Sequence, residues 1–271
     1  MSSDRRNTES LLGIKLVKRL AESGKRIFDI ATARKYGVDF GITSSYMPEC
    51  LYYLRQMGWI FPIKRGLYSL SPIFLSGKNI HEYEIAMFLA SPAVISHASA
   101  MYVHKLVTSS PDRIFVSVRN KVSLPRMGGS NNALSIINET KYHFIQVAPQ
   151  EYFGIQQIWL DGVQIFVTNL EKTLVDALIR PRYCGGVAGV SAAFEEASSK
   201  LNVEKLINYA EKCDVAVSKR LGWYLEKNGF AEANLAPLLS RTTSSFIRLD
   251  PTNNTLGSYN KKWMVNENLF D

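Results

Sequence analysis

Several residue groups in this sequence have side chains suited to chemistry, and their spacing decides what they can do. His97 and His104 stand seven positions apart in SHASAMYVHKL and could share a helix face. Metal ligands on one helix are usually three or four positions apart with a third ligand nearby, so this spacing reads as structural and no metal site is expected. Gly128-Gly129-Ser130 lacks the lysine that follows the glycines of a P-loop, and the spaced carboxylate pair of a nucleotidyltransferase metal site is missing too. No GxSxG elbow occurs. Cys184 precedes Gly185-Gly186 and could be a nucleophile, but spacing identifies no base for it, which favours a packed turn. Glu171, Lys172 and Asp176 lie close enough on one helix to form an ion-pair face. These groups do not assemble an enzyme, and no cofactor is implied.

A different chemistry is suggested by GITSSYMPECLYYLRQMGWI and the residues after it. Ser44 or Ser45 can cap a helix, and Pro48 then falls in the first turn, where amides lack an intrahelical acceptor. Cys50, Leu51, Leu54 and Met57 make an apolar stripe. Tyr46, Glu49, Tyr53 and Gln56 fall opposite it, with Tyr52 and Arg55 flanking and Gly58 ending the helix. WIFPIKRGLYSL then places two β-rich runs around Lys64-Arg65-Gly66, a hairpin signal with a basic tip.

Two elements precede this pair. Leu12, Leu16, Val17 and Leu20 recur with helical spacing, opposite Lys15, Lys18, Arg19 and Glu22, after a frayed residue 1–9 start and before a stop at Gly24. Ile30 to Tyr36 fits a second helix, capped by Asp29 and closed by Gly37. Three helices followed by a basic hairpin is the order of a winged helix-turn-helix, whose third helix enters the major groove. Thr43, Ser44, Ser45, Tyr46, Glu49, Tyr52, Tyr53, Arg55 and Gln56 are then expected at bases or phosphates. Lys64 and Arg65 are expected on phosphates or in the minor groove.

Ser76-Gly77-Lys78-Asn79 reads as a linker between domains 1–78 and 79–271. In the second, Asn79 can cap a helix from Ile80 to Ala90, and a further helix starts at Ser96. Residues 113–118 and 143–148 are strand-like, and Asp161-Gly162 marks a hairpin within 155–168. The run from Arg119 to Asn138 reads as a long loop. About four helices follow Leu170, and Trp263, Met264 and Val265 near the end suggest that the tail docks. The whole is α+β: a small sheet with packed helices behind a winged helix.

Composition agrees with that division. The chain has 271 residues and a formal charge of +8. Residues 1–78 hold 13 Lys or Arg against 6 Asp or Glu, and residues 79–271 hold 19 against 18. A basic module attached to a near-neutral one favours an anionic partner. No apolar run approaches a membrane span, no signal peptide is read, and Cys50, Cys184 and Cys213 form no CxxC pair, so a reducing cytoplasm is expected.

The sequence resembles the AbiEi antitoxin family, the repressor half of abortive-infection toxin–antitoxin pairs. The likeness rests on MGWIFPIKRGLYSL, on AVISHASAMYVHKL with Ser96 and His97, on EKTLVDALIRPRYCGGV and on RLDPTNNTLGSYNKKWMVN. It marks Glu171, Lys172, Asp176, Arg180 and Tyr183 as motif residues without a stated role; a departure is Ala177-Leu178-Ile179-Arg180, where an acidic residue often precedes Arg-Pro. The resemblance implies a repressor that binds inverted repeats upstream of its own operon, a C-terminal domain needed to counter the toxin, and a nucleotidyltransferase-like toxin as partner without a required stable complex; two copies on DNA are a separate expectation, since a single small module makes few contacts. Two other readings stay open: a nucleotide- or RNA-directed enzyme with a basic targeting domain, and an adaptor whose winged helix contacts protein.

Overall fold

A computed structural model describes residues 2–119, 134–137 and 139–269. Among them are ten α-helices and three sheets, a mixed α+β chain. It divides into two compact units, Met1–Phe88 with Ile137–Glu139 and Leu89–Ile136 with Thr140–Asp271.

The first unit runs α1 (Ser2–Glu22), β1 (Ile27–Asp29), α2 (Ile30–Gly37), α3 (Met47–Gln56), β2 (Ile60–Lys64), β3 (Leu67–Leu70) and α4 (Glu82–Leu89). α1 begins at Ser2, not after a frayed segment. Its Leu16, Val17 and Leu20 pack with Ala33, Met47, Cys50, Leu51 and Leu54 into one core. Asp29 caps α2 by accepting from the Thr32 amide at 2.7 Å, and hydrogen bonding from the Thr32 hydroxyl first and its amide second holds the carboxyl below the usual range. Gly37 is the last residue of α2 but not the left-handed cap that the sequence suggests, since its φ is -69° and the chain runs on into the turn Val38–Phe40. It is helical and buried, and a Cβ there would meet Met47 Cε at 2.6 Å; Gly41 takes the left-handed turn instead.

β3 is central in the antiparallel order β1-β3-β2. Lys64 pairs with Leu67 across the Arg65-Gly66 tip, after a register shift between Pro62 and Lys64. The expected boundary at residues 78–79 lies inside the first unit. Arg26 donates to the Asn79 carbonyl at 2.9 Å and pairs with Glu84 at 3.5 Å, which ties this segment to the rest. α4 starts at Glu82 because His81, not Asn79, meets its early amides: the Tyr83 N–H donates to His81 Nδ1 at 3.0 Å.

The second unit holds β4 (Ala93–Ile95), α5 (His97–Val103), β5 (Ile114–Arg119), β6 (Leu134–Ile137), β7 (Thr140–Val147), β8 (Ile155–Leu160) and β9 (Val163–Thr168). They form a mixed sheet of order β6-β7-β5-β4-β9-β8. β5–β7 and β4–β9 pair in parallel, whereas β4–β5 and β8–β9 are antiparallel. Asp161 and Gly162, with φ of 47° and 80°, make the two-residue turn between β8 and β9. β6 lies within the stretch read as loop; Gly128–Ser130 and the rest of 120–133 lie outside the described residues.

Helices α6 (Leu170–Ile179), α7 (Gly186–Ala197), α8 (Val203–Glu211), α9 (Val215–Lys227) and α10 (Glu232–Ser240) follow. α10 exceeds the four helices expected, because Pro237 inside it reads in sequence as a breaker. A last sheet of β10 (Ile247–Arg248), β11 (Ser258–Asn260) and β12 (Val265–Glu267) carries the tail. Trp263 is fully buried in the helical core, and its indole N–H donates to Glu226 at 2.7 Å. The ring lies on Gly222 of α9, where a Cβ would come within 2.0 Å of Trp263 Cζ3.

Two stability outcomes are expected. Gly222→Ala should destabilise by about 1–3 kcal/mol through overpacking and Trp263→Ala by about 3–5 kcal/mol. In the double variant the new methyl fills vacated space, so chemical denaturation should show it no less stable than Trp263→Ala alone. A fragment of residues 1–88 should melt at a higher temperature than one of residues 1–78, which loses both Arg26 partners.

Candidate functional site

The first unit presents α3 with one side sealed and the other bare. Met47, Cys50, Leu51 and Leu54 face the core, fixing the helix rotation. Glu49, Tyr52, Tyr53 and Gln56, spaced i, i+3, i+4 and i+7, are therefore all exposed on the outward stripe, with Arg55 exposed beside them. Tyr52 is 54% exposed and packs edge-on against Tyr53 at 5.6 Å, and the Tyr53 hydroxyl donates to Glu49 at 3.5 Å.

Three expectations change here. Neither Ser44 nor Ser45 caps α3. The Thr43 hydroxyl accepts from the Tyr46 amide at 3.2 Å, the Thr43 carbonyl from Met47 at 3.0 Å, and Thr43 and Ser45 oxygens bond at 3.0 Å. Tyr46 is not on the outward face but packs against the core, because it sits in the turn before the helix. Met57 lies past the last helical residue and is 43% exposed, and Met47 takes its place in the core. Thr43, Ser44 and Ser45 are exposed at the entry to α3.

At the hairpin, Arg65 is exposed and Lys64 half-buried at the end of β2; burial pulls the Lys64 ammonium below its usual range. Arg34 and Lys35 in the last turn of α2 and Lys15, Lys18 and Arg19 on α1 are exposed as well. Arg34 and Lys35 carry no clear signal in sequence, since the helix they stand on is short and its apolar stripe weak. Together these groups offer guanidinium and ammonium charge, phenolic hydroxyls and one carboxamide, the donors that bind phosphates and base edges.

In the second unit the motif residues gather into a buried cluster. α6 is enclosed: every residue from Glu171 to Leu178 is buried. Lys172 and Asp176 hydrogen-bond one turn apart, their side chains each 3% exposed, so they form an interior pair and not an exposed ion-pair face. Burial raises the Asp176 carboxyl, and the Lys172 charge pulls it back. Glu171 points elsewhere: it accepts from Lys205 of α8 at 2.7 Å. The next helical position is rotated by about 100°, so adjacent residues cannot share a face. Arg180 pairs with Glu151 at 2.9 Å, a partner 29 residues away that no spacing signals.

His97 is fully buried at a φ of 51°, a strained conformation for a non-glycine residue. Its Nδ1 lies 2.9 Å from Ser96 Oγ, which also accepts from Ser117 Oγ at 2.8 Å. Its Nε2 has no hydrogen-bond partner among the described residues. Burial, with Lys172 and Arg180 nearby, holds His97 well below the usual histidine range, so the ring is neutral at pH 7. Tyr183 meets His97 edge-on at 5.5 Å and His143 at 4.9 Å. His104 is apart from His97, bonded to the Thr168 carbonyl at 2.7 Å. Cys184 is buried, and burial followed by the Asp176 charge raises its thiol well above the usual range, which keeps it protonated. Among the described residues no group of three His, Cys, Asp or Glu is placed to hold a metal ion, and no helix is long and apolar enough to cross a membrane.

No family model matches this chain, and no curated protein matches it. Among solved structures it is similar to the crystal structure of the RV2827C protein from Mycobacterium tuberculosis, with a TM-score of 0.68 and 16% sequence identity. The likeness covers 94% of this chain and 90% of that one. At this identity it is a likeness of fold, and it extends the mixed α+β architecture to both units of the chain.

Proposed function

We propose that this chain is a DNA-binding transcriptional repressor that also serves as the antitoxin of a toxin–antitoxin pair. The observation that carries the DNA half is the outward stripe of α3, Glu49, Tyr52, Tyr53 and Gln56, on a helix whose other side is locked into the core. The element order α1-β1-α2-α3-β2-β3 with β3 central supports reading this unit as a winged helix, with Lys64 and Arg65 at the wing. In this reading α3 lies in the major groove, Tyr53 and Gln56 reach base edges, and Thr43, Ser44, Ser45 and Arg55 hold the backbone. The wing and the exposed basic residues of α1 and α2 neutralise phosphates.

The antitoxin half rests on the sequence resemblance to the AbiEi family. It brings with it operator inverted repeats and a nucleotidyltransferase-like toxin; two copies on DNA and a cytoplasmic setting complete the reading. Repression of the shared operon would lower toxin supply without a stable complex between the two proteins. The adaptor reading draws on the same exposed tyrosines, and co-purification with toxin that survives nuclease and high salt would favour it.

The wing is tested by Lys64→Ala with Arg65→Ala. Binding to operator and to random DNA should weaken by similar factors, and the log–log salt slope should flatten by about 0.9 for each phosphate that is no longer neutralised. A binding titration with an unchanged slope would remove the hairpin from the interface. α3 is tested one residue at a time: Tyr53→Ala or Gln56→Ala should cost about 1–3 kcal/mol on the operator and much less on random DNA. Equal losses on both would reduce α3 to a backbone clamp.

A further inference from the structure

The second unit contains a cleft that the repressor reading leaves unused. It has a volume of about 610 Å³, within the range of sites that enclose a small organic ligand. Tyr183, the last motif residue before Cys184, forms part of its wall. Phe115, His143 and Tyr183 make an aromatic surface, with ring centroids 4.9–5.6 Å apart. His97 braces this surface from behind, at 88° to Tyr183.

The polar groups at the cleft favour an anion. Arg182 is exposed, stacks over Tyr183 at 4.6 Å and donates to its hydroxyl at 2.9 Å. That contact orients the guanidinium and leaves its other N–H groups to face a ligand. Asp112, the carboxylate at the rim, is already held by Arg113 through two bonds of 2.7 and 3.0 Å, so it does not oppose an incoming anion. His143 lines the cleft, and its buried Nδ1 has no hydrogen-bond partner among the described residues. The three rings are tilted by 43–52° to one another and form a concave aromatic wall, and such a wall beside an oriented arginine can take up a base and its phosphate.

We propose that this cleft is a nucleotide site, taking one nucleoside monophosphate unit with the base against Tyr183, Phe115 and His143 and the phosphate on Arg182. The site lies entirely within the second unit and is independent of the DNA surface of the first. A molecule that represses transcription would then carry a separate pocket through which a nucleotide is sensed or a nucleotide-bearing partner is held.

The test is calorimetric titration of the full chain with AMP, GMP, CMP and UMP, with adenosine and inorganic phosphate run alongside. At least one monophosphate should saturate a single site about tenfold more tightly than adenosine or phosphate. Arg182→Gln, at an exposed position that leaves the core intact, should weaken it at least about tenfold. Tyr183→Leu should do the same, whereas Tyr183→Phe, which keeps the ring under Arg182 but loses the hydroxyl that helps orient it, should weaken binding less than Tyr183→Leu. The Lys64→Ala, Arg65→Ala protein should bind the nucleotide as the parent does, which separates this site from the DNA surface. The proposal is overturned if no monophosphate saturates at millimolar concentration, if phosphate alone binds as tightly, or if Arg182→Gln leaves the affinity unchanged.

Discussion

An ammonium and a carboxylate, each 3% exposed, face one another across one turn of α6, and the second unit is organised around keeping them together. Each charge alone would be costly to bury; as a pair they offset most of that cost, and removal of either partner leaves an orphan worth about 3–5 kcal/mol. The surroundings follow from this. Lys172 lies over the Phe153 ring at 4.9 Å, and Arg180 at the end of the same helix has its own carboxylate in Glu151. With Lys172 and Arg180 already present, another positive charge has no place nearby, and His97 is neutral for that reason as well as for its burial. Cys184 is subject to the reverse logic, its thiolate disfavoured by burial and by the Asp176 charge.

The first unit uses burial for a different end. Its apolar cluster fixes which side of α3 faces out. A helix held by Met47, Cys50, Leu51 and Leu54 cannot rotate without exposing them, so the outward residues are presented in one orientation. Glu49 on this stripe repels phosphates, which argues against a purely electrostatic clamp; a carboxylate suits contact with a base donor such as the cytosine amino group. In the proposed reading the charge that would meet phosphates comes instead from the exposed Arg34, Lys35, Arg55 and Arg65.

The two units thus differ in what they hide and what they display. In the first, the side chains that hold α3 are apolar, and the basic residues of α1, α2 and the hairpin tip are exposed. In the second, Lys172 and Asp176 are inside, while Arg182 at the cleft is exposed and Tyr183 beside it half-buried. Motif residues in such a cluster act through the shape they impose. Ser96, Ser117 and the strained His97 hold the aromatic wall in place, and Lys172 and Asp176 hold the helix behind it.

The sequence alone determined what local physics governs. The α+β class, the hairpin at Lys64-Arg65, the Asp161-Gly162 turn, the Asp29 cap and the docking of Trp263 all follow from periodicity, turn chemistry or apolar content. The stripe of α3 was legible apart from its ends, because helix ends depend on caps: Thr43 rather than a serine meets the first amides, Tyr46 turns inward and Met57 outward. Tertiary structure decided the rest. Lys172 and Asp176 look like a solvated pair in sequence and are interior only because α5, α7, α8 and α9 surround α6. Glu151 and Arg180, or Ser96 and Ser117, meet across 29 and 21 residues, distances over which no local pattern carries information. The reach of the first unit to Phe88 was set by Arg26 finding Asn79 and Glu84 after the chain had turned back on itself, an interaction that exists only once the fold does.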